Sequence, residues 1–178
     1  GGEHLEVART YCNMAIVFRK QGQYEKALEY YQKDLDITIK VVGHGHPDVA
    51  TTNMNMGIVH EKLGNFEEAL FHHGKAEVVF IAVYGRQHRD VADTKYNIAG
   101  LHEGQGNLEA ARELFLESAE IYAAVLGPEH EETLDARRRA ETVGEEEEEE
   151  EEEWEEEEGE DRGDEDEEED SEDHGEGQ

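Results

Sequence analysis

Ten histidines are the residues of this chain best suited by type to chemistry, above all to binding a metal through neutral imidazole nitrogens. His44-Gly45-His46 and His72-His73 are the densest groupings. A metal site needs ligands converging from several parts of a chain, helped by carboxylate or cysteine. These histidines follow a different rule. His4, His46, His88 and His130 stand 42 residues apart, and His60 and His102 are a second pair with the same step. The first set reads as a repeated loop position. The second reads as a packing position ordinarily held by an aromatic ring. No metal site is expected, and no other cofactor either.

Catalytic arrangements fare no better. The chain has no glycine-rich phosphate loop, no nucleophile elbow and no Cys/His pair at a recognisable spacing. Paired acids abound, but on solvated helix faces and in the C-terminal run. An enzyme is not expected. The polar residues that stand out are amides instead: Asn13, Asn55 and Asn97 keep the same 42-residue step. An amide is both donor and acceptor, so each could bond the backbone of a neighbouring helix and hold a stack together.

The step of 42 governs the whole N-terminal four fifths of the chain. Val7, Val49 and Val91 obey it, each followed by alanine (Ala8, Ala50, Ala92), as do Gly22, Gly64, Gly106 and Ala27, Ala69, Ala111. A period of this size means supersecondary units that bury a core only against their neighbours. One unit parses as two helices. Pro47 and Asp48 suit a first turn, proline having no amide to waste there and the acid favouring the positive end of the dipole. Val49, Met56, Val59 and Leu63 are apolar at helical spacing. Gly64-Asn65 stops the helix, both residues tolerating the left-handed conformation. A second helix runs from Phe66 to Tyr84, and Gly85 ends it. The same parse predicts helices over 5–21, 24–42, 90–105 and 108–126, with a last one over 128–143 whose partner never arrives. The expected fold is all-α: a right-handed solenoid with repeats at about 4–43, 46–85 and 88–127, closed by the capping helix 128–143. Ala15, Gly57 and Ala99 on the first helices, with Ala27, Ala69 and Ala111 on the second, mark where helices touch. Phe18, Tyr24, Tyr31, Phe66, Leu108 and Phe115 fill the space between.

Charge divides the chain sharply. Residues 145–178 hold 25 Asp and Glu against one base, Arg162, whereas residues 1–144 carry a net charge of only −8. The segment 144–178 includes nine consecutive glutamates and then Trp154, and cannot bury a core, so it is expected to be disordered. A nucleic-acid binder should be basic over its contact surface, and nothing here is. No apolar run approaches the ~20 residues of a membrane span, and no signal-peptide pattern is present. The single cysteine, Cys12, reads as a buried thiol of a reducing compartment. A start at Gly-Gly without Met reads as a fragment or processed product, and its position near a repeat boundary predicts further repeats before it.

The stretches NMAIVFRKQGQYEKALEYYQKDL, NMGIVHEKLGNFEEALFHHGKAE and NIAGLHEGQGNLEAARELFLESA resemble the tetratricopeptide repeat (TPR). The period exceeds the usual unit of about 34 residues, and the long second helix with the loop VVGHGHPDVA accounts for the excess. That longer form, opening on HPDVA, looks like the repeats of kinesin light chains and nephrocystin-type proteins. The resemblance covers residues 1–143. A kinesin light chain would also carry heptads before its repeats, and this chain contains none.

The resemblance implies a protein–protein adaptor in the cytoplasm, cytoskeleton-associated if kinesin-like, that grips partner peptides in a concave groove lined by the first helices. Asn13, Asn55 and Asn97 would then bond the peptide backbone, the alternative being the stacking role above. Lys20 and Lys62 lie seven residues further along each helix, on roughly the same face, and with Arg9 and Arg19 make the early groove basic and suited to acidic peptides. Asp93, Glu103 and Gly104 break that pattern in the third repeat. Arg137, Arg138 and Arg139 fan around the last helix, complementing its dipole or attracting the acidic tail. Trp154 in EEEWEEEE resembles the tryptophan–acidic peptides such arrays recognise and could act as a pseudo-ligand. Low complexity alone also accounts for it, since the usual preceding leucine or methionine is absent. The other function class is a tail-driven binder or chaperone of basic proteins such as histones.

Overall fold

The computed structural model describes residues 2–143 and 145. Expectations for the acidic run, including its disorder and the docking of Trp154, lie outside these residues. Among the described residues seven helices follow one another: α1 (Gly2–Lys20), α2 (Tyr24–Val42), α3 (Pro47–Lys62), α4 (Phe66–Tyr84), α5 (Arg89–Glu103), α6 (Leu108–Val125) and α7 (131–143). Among the described residues there is no strand. Nor, among the described residues, is any helix long and apolar enough to cross a membrane. The helices pair as α1–α2, α3–α4 and α5–α6; α2 also packs on α3, α4 on α5, and α3 touches α5.

The repeated residues explain the repeated geometry. Gly22, Gly64 and Gly106 take φ of 72°, 75° and 75°, the left-handed conformation that closes the turn between the two helices of each unit. Asn65, expected to share it, instead has φ −88° and is the N-cap of α4. His4, expected at a loop position, lies inside α1, whereas the other three histidines of that set stand before a helix and have a definite task. His46 Nδ1 accepts the Asp48 N–H at 3.1 Å and His88 Nδ1 accepts that of Asp90 at 3.2 Å, each satisfying a first-turn donor that the helix leaves unpaired. His130 is placed likewise toward Glu132 N at 3.4 Å. It therefore stands immediately before α7, which starts at 131 rather than at the expected Pro128. Pro128 belongs to the preceding turn.

The core crosses every unit boundary. Ala15, Ala27 and Tyr31 of the first unit cluster with Val49 and Val59 of the second. Phe80 of α4 clusters with Val91 of α5, Tyr122 of α6 and Ala136 of α7. Ala140 and Val143 of α7 pack with Ala99, Leu108 and Phe115. No unit could bury its apolar face alone, which is why the fold is a stack and why α7 covers its end. At the other end the same positions are open. Val7 is 46% exposed where Val49 is 4% exposed, and Val17 is exposed where Val59 is buried. In the second unit these positions are covered by the helices of the first.

Candidate functional site

Each first helix presents its repeated amide at the same register position, but the three side chains do different things. Asn13 is exposed on α1 and lines a cavity of ≈ 320 Å³ with Thr10, Met14, Val17 and Phe18. Asn55 donates from Nδ2 to Thr51 O of its own helix at 3.0 Å. Among the described residues Asn55 makes no side-chain hydrogen bond to a neighbouring helix, the stacking role that was one of its two expected uses. Asn97 is half-buried. The amide that ties helices together lies two residues earlier. Asn53 is buried, donates to Val49 O at 2.8 Å, and sets Oδ1 2.9 Å from His72 Nδ1 of α4.

The expected cations are at the surface. Lys20 and Lys62 are exposed, Lys62 2.8 Å from Glu61, and Arg9 stands 3.9 Å from Glu6. Arg9 also borders a cavity of ≈ 160 Å³ between α1, α2 and α3, with Cys12, Asp34, Asp48, Thr51 and Thr52. Asp34 is buried there, accepting from Thr52 Oγ1 at 2.5 Å and Thr38 Oγ1 at 3.1 Å. Burial raises its pKa against the pull of those two hydroxyls. Cys12 is half-buried rather than sealed in the core. Burial, with the nearby Asp34 and Asp48 carboxylates, pushes its thiol up to about 11, away from the reactive thiolate.

The second unit gathers three histidines at its helix–helix seam. His60 and His72 stack with ring centres 5.3 Å apart, and His73 is fully buried with neither ring nitrogen bonded among the described residues. Burial lowers both His72 and His73 to about 4, and the neighbouring His60 adds to the effect on His72. The rings are therefore neutral at pH 7. Among the described residues no three His, Cys, Asp or Glu side chains are grouped to hold a metal ion.

Farther along, charge replaces apolar contact. Lys95 of α5 lies 3.0 Å from Glu77 of α4 and 2.7 Å from Glu117 of α6. Asp93 accepts the Tyr122 hydroxyl at 2.6 Å, and burial raises both groups' pKa values. The arginine cluster is engaged within the array: Arg139 pairs with Glu103 and lies over Phe115, and Arg138 pairs with Asp135. Asn53, Asp34 and Lys95 escape a reading that looks for identities across the 42-residue step. They become visible when the departures from it are compared, column by column.

The tetratricopeptide-repeat family pattern matches residues 6–80, 48–124 and 90–143. No curated protein matches the sequence. Solved structures are similar at the level of fold. BtubC (BKLC) from P. vanneervenii matches at 19% identity and TM-score 0.58, over 76% of this chain and 62% of that one. The nearly identical TPR-like repeats of a kinesin light chain-like protein from Podosopora anserina match at 19% identity and TM-score 0.67, over 76% and 66%. The chain thus spans less than two thirds of either. The first TPR domain of Spaghetti (RPAP3), solved bound to the HSP90 peptide SRMEEVD, matches at 16% identity and TM-score 0.57, over 78% and 94%. With its family pattern running from residue 6 to residue 143, the chain belongs to the tetratricopeptide-repeat family.

Proposed function

We propose that this array is a peptide-binding adaptor, reading an extended acidic segment of a partner protein along its first helices α1, α3 and α5. The observation that carries the reading is the register of the amides: Asn13, Asn55 and Asn97 take the same position on α1, α3 and α5, and an exposed amide such as Asn13 is able to bond a peptide backbone. Asn55 keeps its Oδ1 and one amide hydrogen for the same purpose, its other hydrogen being held by Thr51 O. Asn97 continues the register. Arg9, Lys20 and Lys62 supply exposed positive charge for acidic or tryptophan–acidic ligands. That an array of the same fold was solved with the peptide SRMEEVD supports an acidic ligand class. A cargo-adaptor role in the cytoplasm, kinesin light chain-like, is the finer form of this reading.

The test is Asn55→Ala combined with Lys62→Ala. Capture of a tryptophan–acidic peptide should vanish while helicity stays unchanged, and intact capture refutes the assignment. The 25 acids of residues 145–178 favour a second reading, a binder of basic proteins such as histones. Deleting 145–178 would then remove binding, and wild-type affinity would fall steeply with salt. Trp154 is the candidate pseudo-ligand of the first reading: the tail would compete with cargo, its tether raising its local concentration.

A further inference from the structure

Beyond the first-helix face, the geometry points to a second docking site on the opposite helices: we infer that the groove between α2 and α4 binds an amphipathic partner helix whose apolar stripe is flanked by carboxylates. The internal repeat supplies the comparison. At the position of Phe71 the first and third units carry Glu29 and Glu113, and at that of Val78 they carry Asp36 and Glu120. Only the second unit places apolar side chains there. Phe71 is 59% exposed and Val78 is 69% exposed, seven residues apart on one helix face. Both border a groove of ≈ 580 Å³ that reaches across to Leu35 and Ile39 of α2. Single exposed apolar residues need no explanation, but a contiguous set lining a groove does.

The adjoining groove shows what chemistry is missing. There Lys95 bridges Glu77 and Glu117 across α4, α5 and α6. One repeat earlier these three positions are Leu35, Asn53 and Lys75. The bridge is thus replaced by an apolar residue, an amide bonded to His72, and a lysine with no carboxylate partner among the described residues. Lys75 Nζ sits 4.0 Å from the centre of the Phe71 ring instead. Among the described residues the groove is lined by Lys75 and His44 and by no Asp or Glu. A carboxylate arriving with the partner would take the place beside Lys75 that Glu117 takes beside Lys95. An apolar stripe laid along two turns would cover Phe71 and Val78.

The experiment uses the full chain and a fluorescein-labelled helical peptide with leucines at i, i+4 and i+7 flanked by glutamates, beside a twin with lysines in their place. The glutamate peptide should bind more tightly than its twin, and Lys75→Glu should weaken it about tenfold while favouring the lysine twin. Phe71→Glu with Val78→Asp, which installs the acids typical of the other units, should abolish binding without lowering helicity. Equal binding of both peptides, or of neither, overturns the proposal. So does binding that survives Phe71→Glu with Val78→Asp but fails in Asn55→Ala with Lys62→Ala, which would place the peptide on the first helices. Self-association abolished by Phe71→Glu also overturns it, by making a second copy the occupant.

Discussion

Gly57 of α3 lies directly against the imidazole of His73 on α4: a Cβ on Gly57 would stand 2.7 Å from the ring's Cε1 and Nε2 atoms. The matching pairs are Ala15 with Tyr31 and Ala99 with Phe115, all buried. The second unit therefore uses a smaller first-helix residue and a polar ring at the seam where its sisters use alanine and a larger or apolar one.

Gly57→Ala tests this fit. Alanine gains about 0.5–1 kcal/mol of helix propensity, but the clash with a buried ring costs about 1–3 kcal/mol. The expected result is a net loss of stability in thermal unfolding. Adding His73→Phe installs the pair found in the third unit. The double variant should recover at least part of the loss, with a coupling of about 0.5–3 kcal/mol.

Acid should weaken the fold through the same seam. His73 and His72 titrate at about 4 when folded and at the ordinary 6.5 when unfolded. Between those values the unfolded chain binds more protons, so stability is complete above pH 6.5 and falls as pH drops toward 4. For the fully buried His73 the loss approaches roughly 3 kcal/mol. Asp34 and Asp93, whose burial raises their pKa values, act in the opposite sense. Comparing His73→Phe with wild type isolates the histidine: the variant's melting temperature should depend less on pH between 6.5 and 4. Parallel curves would refute the assignment.

Lys95→Ala should be more damaging than loss of an ordinary surface lysine. It leaves Glu77 and Glu117 without the ammonium between them. A cost of about 1–2 kcal/mol is expected, between that of an exposed pair and that of a broken buried one. Lys95→Met should cost less, because the aliphatic stem is retained. Urea unfolding of the two variants measures the difference.

Arg139→Ala should loosen the cap. Arg139 joins α7 to Glu103 of α5 and lies over the Phe115 ring of α6, 4.9 Å from its centre. Amide exchange over 131–143 should speed while that of α3 remains unchanged. Uniform acceleration along the chain would argue against a local role.

Trp154, the chain's only tryptophan, reports on the tail. Under the pseudo-ligand proposal its emission is blue-shifted at low salt and relaxes as salt rises. Emission of a fully exposed indole at every salt concentration would leave the first helices to outside ligands.

The architecture was legible because periodicity is a local property. Val49, Met56, Val59 and Leu63 declare a helix by spacing alone, and Gly64 declares its end, as Gly85 does that of the next helix, through backbone freedom. Repetition of His46, Val49, Asn55, Gly64 and Ala69 at a step of 42 then dictates a stack. Even the late start of α7 follows the rule: His130 keeps the capping position of His46 and His88, which excludes Pro128 from the helix.

What tertiary structure alone decided is which partner each polar residue finds, since that depends on distances between helices far apart in sequence. The repeated Asn55 turns to its own backbone, whereas the unrepeated Asn53 meets His72 of α4. Asp34 finds its hydroxyl on Thr52, eighteen residues away, and Arg139 finds Glu103 thirty-six residues back. Spacing along one helix determined which face a side chain occupies. Packing between helices determined whether that face met a carboxylate, an imidazole or solvent, and so left Phe71, Val78 and Lys75 open while Lys95 was bridged.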